Sequence, residues 1–293
     1  MFDQITPLIL TCNEVPNIER TLAKLTWAKR IVVVDSGSTD GTLDILCRHP
    51  RVAVFVREFV DFAGQCNFGL DHLESPWVLS LDADYELSDE FLDELRTLIP
   101  GEAIAGYRAR FVYRIHGHPL RGTLYPPRTI LYRRDRGYYR QEGHGHKVHV
   151  DGEVMSLRCV VYHDDRKPLS RWLAAQQRYA SDEADYLINQ SERTDQSLTR
   201  ADRVRVLGWT APIAVLLYVL LVNRCILDGW PGWYYALQRV FAETLLALEI
   251  VDRRIRRDAD PAHAIMSGPN PLQVNTRPGD DDRAGTTASA GRR

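Results

Sequence analysis

Cysteine is scarce in this chain, and neither sign of charge is in excess. The 293 residues include five cysteines, an odd number without a Cys-x-x-Cys pair, so neither a metal knuckle nor a disulfide framework is expected. Reduced thiols in a cytoplasmic setting fit this usage. The formal net charge of −2 gives no electrostatic case for a nucleic-acid partner. No basic segment followed by an apolar core opens the sequence, so no secretory signal is predicted.

Long hydrophobic runs are also lacking. The most apolar stretch, residues 206–222, only reaches the lower limit of the roughly 20 residues that a spanning helix needs. It contains Pro212 and is closed by Asn223 and Arg224. Aromatic residues follow it and a group of arginines lies beyond, which is typical of a membrane interface. We expect interfacial or re-entrant membrane association here, with a true span, a buried helical pair or an oligomer contact as alternatives.

Short apolar runs alternate with helical patterns through the first hundred residues. The four runs predicted as strands are residues 5–10, 31–34, 52–56 and 77–81. Continuous apolar strands joined through helices predict a parallel sheet covered on both faces, so the fold class is α/β. Ligands of such sheets bind at the carboxyl ends of the strands. Residues 104–163, rich in Tyr, Arg, His and Gly, predict a mixed or antiparallel extension of the sheet.

Acidic residues follow three of the four predicted strands. Glu14 comes after the first, Asp35 ends the second, and Asp82 and Asp84 come at the end of the fourth. Two carboxylates at a strand end suit a hard divalent cation that bridges diphosphate oxygens and neutralises a departing nucleoside diphosphate. Asp35, before a Gly-rich turn, can accept the imide N–H of a uracil or bond a ribose. The sequence therefore predicts a pocket with a nucleoside end and a metal–diphosphate end.

Four segments in register resemble family-2 glycosyltransferases, and the likeness covers about residues 5–95. The segments are Thr11–Glu14, Val33–Thr42, Gly64–Leu70 and Leu79–Asp84. The closest branch resembles the bacterial lipopolysaccharide-core β-glucosyltransferases. The resemblance implies a GT-A fold and an inverting enzyme that moves a sugar from a nucleotide-sugar, with a UDP-sugar expected, to a cell-envelope glycan or glycolipid. It also implies dependence on a divalent metal, Mg²⁺ or Mn²⁺.

Carried over by position, the resemblance assigns residues to the donor and the metal. The implied donor-binding residues are Thr11, Glu14, Asp35, Asn67 and Asp82. The implied metal ligands are Asp84, Asp82 and His163. An imidazole that joins carboxylates suits Mn²⁺ better than Mg²⁺. Cys66 departs from the family, where Lys or Arg often precedes the equivalent of Asn67, and this puts a phosphate contact from that position in doubt.

The second half resembles the family less closely. An inverting transfer needs a base for the proton of the acceptor hydroxyl. Relatives often carry a His-Glu pair before a Val-Asp-Gly-like turn, which here is residues 150–152. This places His146 as the expected base, with Glu142 second; a His-rich hairpin or substrate-binding loop is the alternative. Several basic side chains could meet an anionic acceptor or steady the diphosphate. They are Arg110, Arg114, Arg121 and Arg128 for the acceptor, and Arg166 and Lys167 for the diphosphate.

The expected organisation has three parts. Residues 1–165 form the GT-A domain, with donor binding in about 1–100 and acceptor binding in about 101–165. Residues 166–257 form a helical, membrane-associated region, and residues 258–293 a disordered tail without periodicity. The expected partners are a nucleotide-sugar, a glycolipid or lipid-linked acceptor and a membrane surface, with the protein peripheral or monotopic at the cytoplasmic face of the bacterial inner membrane.

Three other functions compete with this prediction. A polyprenyl-phosphate glycosyltransferase would need no base, since its acceptor is already ionised. A non-catalytic nucleotide-sugar-binding membrane protein would bind donor without turnover. A nicotinamide-dependent oxidoreductase is disfavoured, because residues 11–16 lack the Gly-x-Gly-x-x-Gly turn that binds a pyrophosphate.

Overall fold

The computed structural model describes residues 1–142, 145–192 and 198–259. Its strands are β1 (Ile5–Thr11), β2 (Ile31–Asp35), β3 (Val52–Val56), β4 (Trp77–Asp82), β5 (Tyr85–Leu87), β6 (Ile104–Ile115), β7 (His118–Pro119), β8 (Arg128–Arg133), β9 (Gly137–Glu142), β10 (Gly145–Val150) and β11 (Glu153–His163). Its helices are α1 (Ile18–Ala23), α2 (Thr42–Cys47), α3 (Phe62–Asp71), α4 (Asp89–Thr97), α5 (Leu169–Glu192), α6 (Arg200–Val206), α7 (Ala211–Leu217) and α8 (Trp230–Asp258). Residues 1–252 form one compact unit, and the second unit, 253–293, is described only to residue 259.

A nine-stranded sheet runs in the order β3-β2-β1-β4-β8-β6-β11-β5, with β7 paired to β6. The first four strands in this order are parallel, which confirms the predicted α/β half. Beyond β4 the sheet is mixed: β8 is antiparallel to both neighbours, and β11 is parallel to β6. The predicted extension of the sheet after residue 104 is therefore also present.

Apolar side chains on both faces of the parallel strands explain why this half is buried. Val33 and Ile9 are fully buried on the side of α1 and α4, whereas Val34 is buried with Leu8 on the side of α3. On that second face the helix approaches closely, since a Cβ on Gly69 would lie 2.4 Å from Leu8 Cδ1. Glycine at this position lets α3 lie directly on the sheet.

The part of the chain after residue 168 contributes helices and no strand of the sheet among the residues described, and α5 is the first of these helices. Within the described ranges, no helix is both long enough and apolar enough to cross a membrane. The predicted stretch 206–222 contains α7 followed by a π-helical turn at Tyr218–Val222, and one side of it packs against the end of β6. The predicted tail falls on residues that, from 260 onward, lie outside the description.

Candidate active site

The predicted carboxylates lie at one edge of the sheet because the ends of β1, β2 and β4 are in register. Thr11 at the end of β1 pairs with Asp35 at the end of β2, and Leu10 pairs with Asp82 at the end of β4. Side chains that follow these strands must therefore share one edge of the sheet. Antiparallel pairing of β5 with β11 sets Tyr85 opposite His163 and brings that histidine to the same edge.

Asp35 organises the turn that follows β2. Its carboxylate is fully buried and accepts hydrogen bonds from Thr11 Oγ1 at 2.7 Å and Ser38 Oγ at 2.6 Å. The backbone N–H groups of Gly37 and Ser38 donate to its other oxygen at 2.9 and 2.7 Å. These four donors fill the acceptor sites of a carboxylate. A nucleoside contact by Asp35, as predicted, requires one donor to turn away, and the hydroxyls of Thr11 and Ser38 are the two donors that can rotate.

Glu14 lies in a buried ion pair at the start of the site. Its Oε1 is 2.6 Å from Lys167 Nζ, and its Oε2 accepts from Asn17 Nδ2 at 2.9 Å. Burial raises the pKa of Glu14 to about 7, against the opposing charge of Lys167. Asn17, fully buried, also donates to Asp165 Oδ1 at 2.9 Å. The polar groups after β1 and after β11 thus form one network.

Asp84 and His163 are in direct contact. His163 Nε2 lies 3.1 Å from Asp84 Oδ2, and both side chains are nearly buried. Burial alone would raise the pKa of Asp84, but the charge and hydrogen bond of His163 together with the charge of Lys167 outweigh it, and the pKa falls to about 2. Burial likewise would lower the pKa of His163, yet the contact with Asp84 and the charges of Asp82 and Asp165 together outweigh it, and that pKa is raised. Both shifts favour the charged form of each group, so the two side chains form an ion pair at the sheet edge.

Only part of the predicted metal set is assembled. Among the described residues no group of three His, Cys, Asp or Glu side chains is arranged to hold a metal ion, so Asp82 does not join Asp84 and His163 in one cluster. Asp84 Oδ1 is nevertheless buried without a hydrogen-bond partner, as is His163 Nδ1. A divalent cation that is held by one or two carboxylates completes its shell with substrate phosphates and water. The orphaned oxygen of Asp84 fits such a cation.

Asn67 has a different contact from the predicted one. Its Nδ2 donates to the Tyr139 carbonyl at 3.0 Å, and the Tyr139 N–H donates to its Oδ1 at 2.9 Å. Both polar atoms of the side chain therefore bind the backbone of β9 and fasten it to α3. The donor role of Asn67 stays a prediction beside this structural one, because Nδ2 keeps a second hydrogen and Oδ1 a second lone pair. The side chains of His146 and Glu142 lie outside the described residues; the backbone of His146 pairs with Gln141 in the β9–β10 hairpin.

Sequence reasoning missed the group that holds the segment after β11 in place. Asp164 is fully buried and binds Arg20 at 3.2 Å and Arg166 at 2.8 Å. Arg166 is thus engaged with Asp164 rather than left for a diphosphate. Arg171 on α5 donates to the carbonyls of Cys12 and Asn13 at 2.6 and 2.7 Å. The run of charges at 164–167 was the available signal, since surface runs seldom begin directly at the end of a core strand.

The sheet and its edge define an α/β enzyme whose carboxylates converge at the ends of parallel strands. The chain belongs to glycosyl transferase family 2, whose sequence profile matches residues 8–165, and it is a glycosyltransferase. This membership accords with the GT-A type of α/β fold, in which a mostly parallel sheet carries the site.

The sequence identity to individual relatives is low. The chain is 26% identical over 276 residues to the lipopolysaccharide core biosynthesis glycosyltransferase LpsC of Rhizobium meliloti, covering 91% of this chain and 95% of that protein. It is 25% identical over 205 residues to a glycosyltransferase of Rickettsia bellii, covering 65% and 69%. Among solved structures, S. aureus TarS in complex with UDP-GlcNAc is similar at a TM-score of 0.43 and 14% identity, covering 86% and 92%.

Because Asn67 docks β9, Asn67→Ala is expected to lower the free energy of unfolding by about 2 kcal/mol. The variant loses the two hydrogen bonds that join Asn67 to the Tyr139 backbone. Urea unfolding measures the loss, and Asp71→Ala, exposed on the same helix, is the control. We expect the KM for a nucleotide-sugar to change less than twofold. A tenfold rise in that KM with unchanged stability would instead show that Asn67 binds the donor.

Proposed function

We propose that this glycosyltransferase moves a sugar, with inversion, from a UDP-sugar to a cell-envelope glycan or glycolipid of the lipopolysaccharide-core type. The acceptor class is supported by the likeness to LpsC along most of both chains. The donor is supported by the carboxylates that converge at one sheet edge. The observation that carries the proposal is the contact of Asp84 with His163, with one Asp84 oxygen left for a ligand.

In this proposal the site has two ends. Thr11, Glu14 and Asp35 hold the nucleoside, as expected from the family. Asp84 and His163, with Asp82 beside them, would hold a divalent cation, which supplies neutralisation of the departing diphosphate. Lys167, fixed by Glu14, adds a positive charge near the same phosphates. Donor binding within residues 1–100 and acceptor binding within 101–165 remain part of the proposal.

The test is a donor screen that reads release of nucleoside diphosphate, with the metal added or chelated and membranes supplied. We expect release from a UDP-sugar that depends on Mn²⁺ or Mg²⁺. No release from any nucleotide-sugar would reject the proposal, and bound donor without turnover would select a non-catalytic binding protein. Activity on polyprenyl phosphate, with tolerance of changes at His146, would select the polyprenyl-phosphate alternative. Wild-type turnover after Ala replacement of both His146 and Glu142 would remove them as bases.

We also propose that a membrane surface carries the acceptor, with the protein peripheral or monotopic at the cytoplasmic face of the inner membrane. The supporting feature is an exposed apolar stripe at four-residue spacing. It consists of Trp209, Ile213, Leu217 and Leu221, which are 74%, 59%, 53% and 60% exposed. Arg224, exposed, follows the stripe and matches anionic headgroups. Tryptophan and arginine around an apolar face are typical of interfacial helices.

Vesicle binding tests the stripe. Ile213→Ser with Leu217→Ser is expected to weaken co-sedimentation with anionic phospholipid vesicles at least tenfold, because each apolar side chain contributes about 1.5–3 kcal/mol when fully buried. Ile99→Ser, which is 92% exposed and belongs to the loop after α4, is the control and should bind as the wild type does. Equal binding by all three proteins, or self-association in place of vesicle binding, would contradict a membrane role for the stripe.

A further inference from the structure

A large cavity lies beside Asp82, on the side away from the proposed nucleoside end. Its volume is about 620 Å³, within the range of small-molecule sites. Its lining includes Asp82, Tyr85, Arg108, Arg128, Tyr139 and Tyr186. The sheet order β2-β1-β4-β8-β6 places Asp82 between the two sites. Asp35 and Glu14 follow strands on one side of β4, whereas Arg128 and Arg108 belong to β8 and β6 on the other.

The arginines of the second half differ in whether they bind another group of the protein. Arg110 donates to the Arg158 carbonyl at 3.1 Å, Arg114 pairs with Glu86 at 3.3 Å and Arg121 with Asp228 at 3.0 Å. These three are engaged within the protein. Arg128 and Arg108 differ, because neither forms an ion pair with any residue that the structure describes, and both line the cavity.

Arg128 packs against an aromatic ring and has no carboxylate within ion-pair distance among the described residues. Its guanidinium lies 5.1 Å from the centre of the Tyr125 ring, and the side chain is half-buried. The hydroxyl of Tyr125 is bonded to that of Tyr85, so the aromatic wall is itself fixed. Glu183, the other acid of the lining, lies 3.7 Å from Arg205. A half-buried guanidinium without a carboxylate partner is arranged to meet a ligand anion.

We propose that this cavity binds the acceptor, and that the acceptor carries an anionic group, a phosphate or a carboxylate, which Arg108 and Arg128 hold. This inference rests on the proposed function and narrows its acceptor to acidic glycans. A guanidinium binds either oxyanion through two parallel hydrogen bonds, which orients as well as attracts the ligand. The bound sugar then lies against Asp82, at the boundary with the donor, where its hydroxyl faces the transferred sugar.

The test measures binding of three small probes to the full chain: glucose 6-phosphate, glucuronate and glucose. We expect both anions to bind the wild type more tightly than glucose, and the stronger of the two identifies the acidic group. Arg108→Gln and Arg128→Gln should each weaken anion binding about 10-fold or more, the loss of one charge-assisted contact. Arg110→Gln, exposed on the same strand but outside the cavity, is the matched control and should change it less than twofold.

Several results would overturn the assignment. One is glucose binding that equals anion binding; another is a loss in Arg110→Gln as large as that in Arg108→Gln. An equal loss of nucleotide-sugar affinity in Arg108→Gln would place the cavity on the donor side. Anion binding by a wild type that releases no nucleoside diphosphate in the donor screen would reject the proposed function and the acceptor role with it. Arginine-dependent anion binding with normal donor turnover supports both.

Discussion

Replacing Asp84 with asparagine is expected to reduce sugar transfer by about 10²–10³-fold, equivalent to roughly 3–4 kcal/mol of transition-state stabilisation. Because the pKa of Asp84 is lowered to about 2, the carboxylate is ionised throughout the neutral range. The amide removes that charge, and it can turn an N–H donor toward the position of the cation. We also expect the metal concentration for half-maximal activity to rise about tenfold or more, since an anionic ligand is lost.

Two measurements separate this effect from misfolding. Nucleoside-diphosphate release is measured across a metal titration, and thermal unfolding is measured on the same preparation. Asp89→Asn is the matched control, because the side chain of Asp89 is 81% exposed and forms a surface ion pair with Lys24. That variant should retain activity within about twofold, as surface pairs contribute little. An Asp84→Asn protein that is folded and fully active would remove Asp84 from the catalytic site.

The donor half of the fold could be predicted because its determinants are local. The fully apolar runs at 31–34 and 52–56 are β2 and β3, as predicted. Ser88 caps α4 by accepting a hydrogen bond from the Phe91 N–H, which is also a local interaction. Asp35 and Asp82 each end a strand, so parallel pairing alone brings them to one edge.

The rest of the site depends on contacts between the first and second halves of the chain. Hydrophobic periodicity predicts helices and strands but not these contacts. Lys167 contacts Glu14, although the two are 153 residues apart in the sequence. Asn67 contacts Tyr139, which is 72 residues away. Asn67 shows the consequence: its motif predicts a donor contact, but gives no indication that both polar atoms of the side chain bind the backbone of β9. The membrane prediction for residues 166–257 has the same weakness, because apolar composition does not distinguish an interfacial face from a helix–helix contact.

Removal of Lys167 is expected to have the largest effect on stability. Its Nζ lies 2.6 Å from Glu14 Oε1 and 3.6 Å from Asp165 Oδ1, and both partners of the closer pair are largely buried. Lys167→Met leaves the buried carboxylate without its counter-charge. Breaking such a pair from one side costs about 3–5 kcal/mol, far more than the pair contributes against apolar replacements. Urea unfolding at pH 8 measures this loss.

The loss should depend on pH in a defined direction. The pKa of Glu14 is raised from 4.5 to about 7, so its ionisation costs the folded state an amount that grows between these pH values and is constant above them. Near pH 5.5 Glu14 is mostly protonated, so Lys167→Met should cost less there than at pH 8, where the lost counter-charge raises the pKa of Glu14 further. The negative charges of Asp84 and Asp165, which also act on Lys167, keep part of the cost at both pH values. Adding Glu14→Gln removes the buried charge, so the double variant should recover most of the loss at pH 8. Equal destabilisation at both pH values, with no recovery in the double variant, would show that Lys167 acts by packing and not by charge.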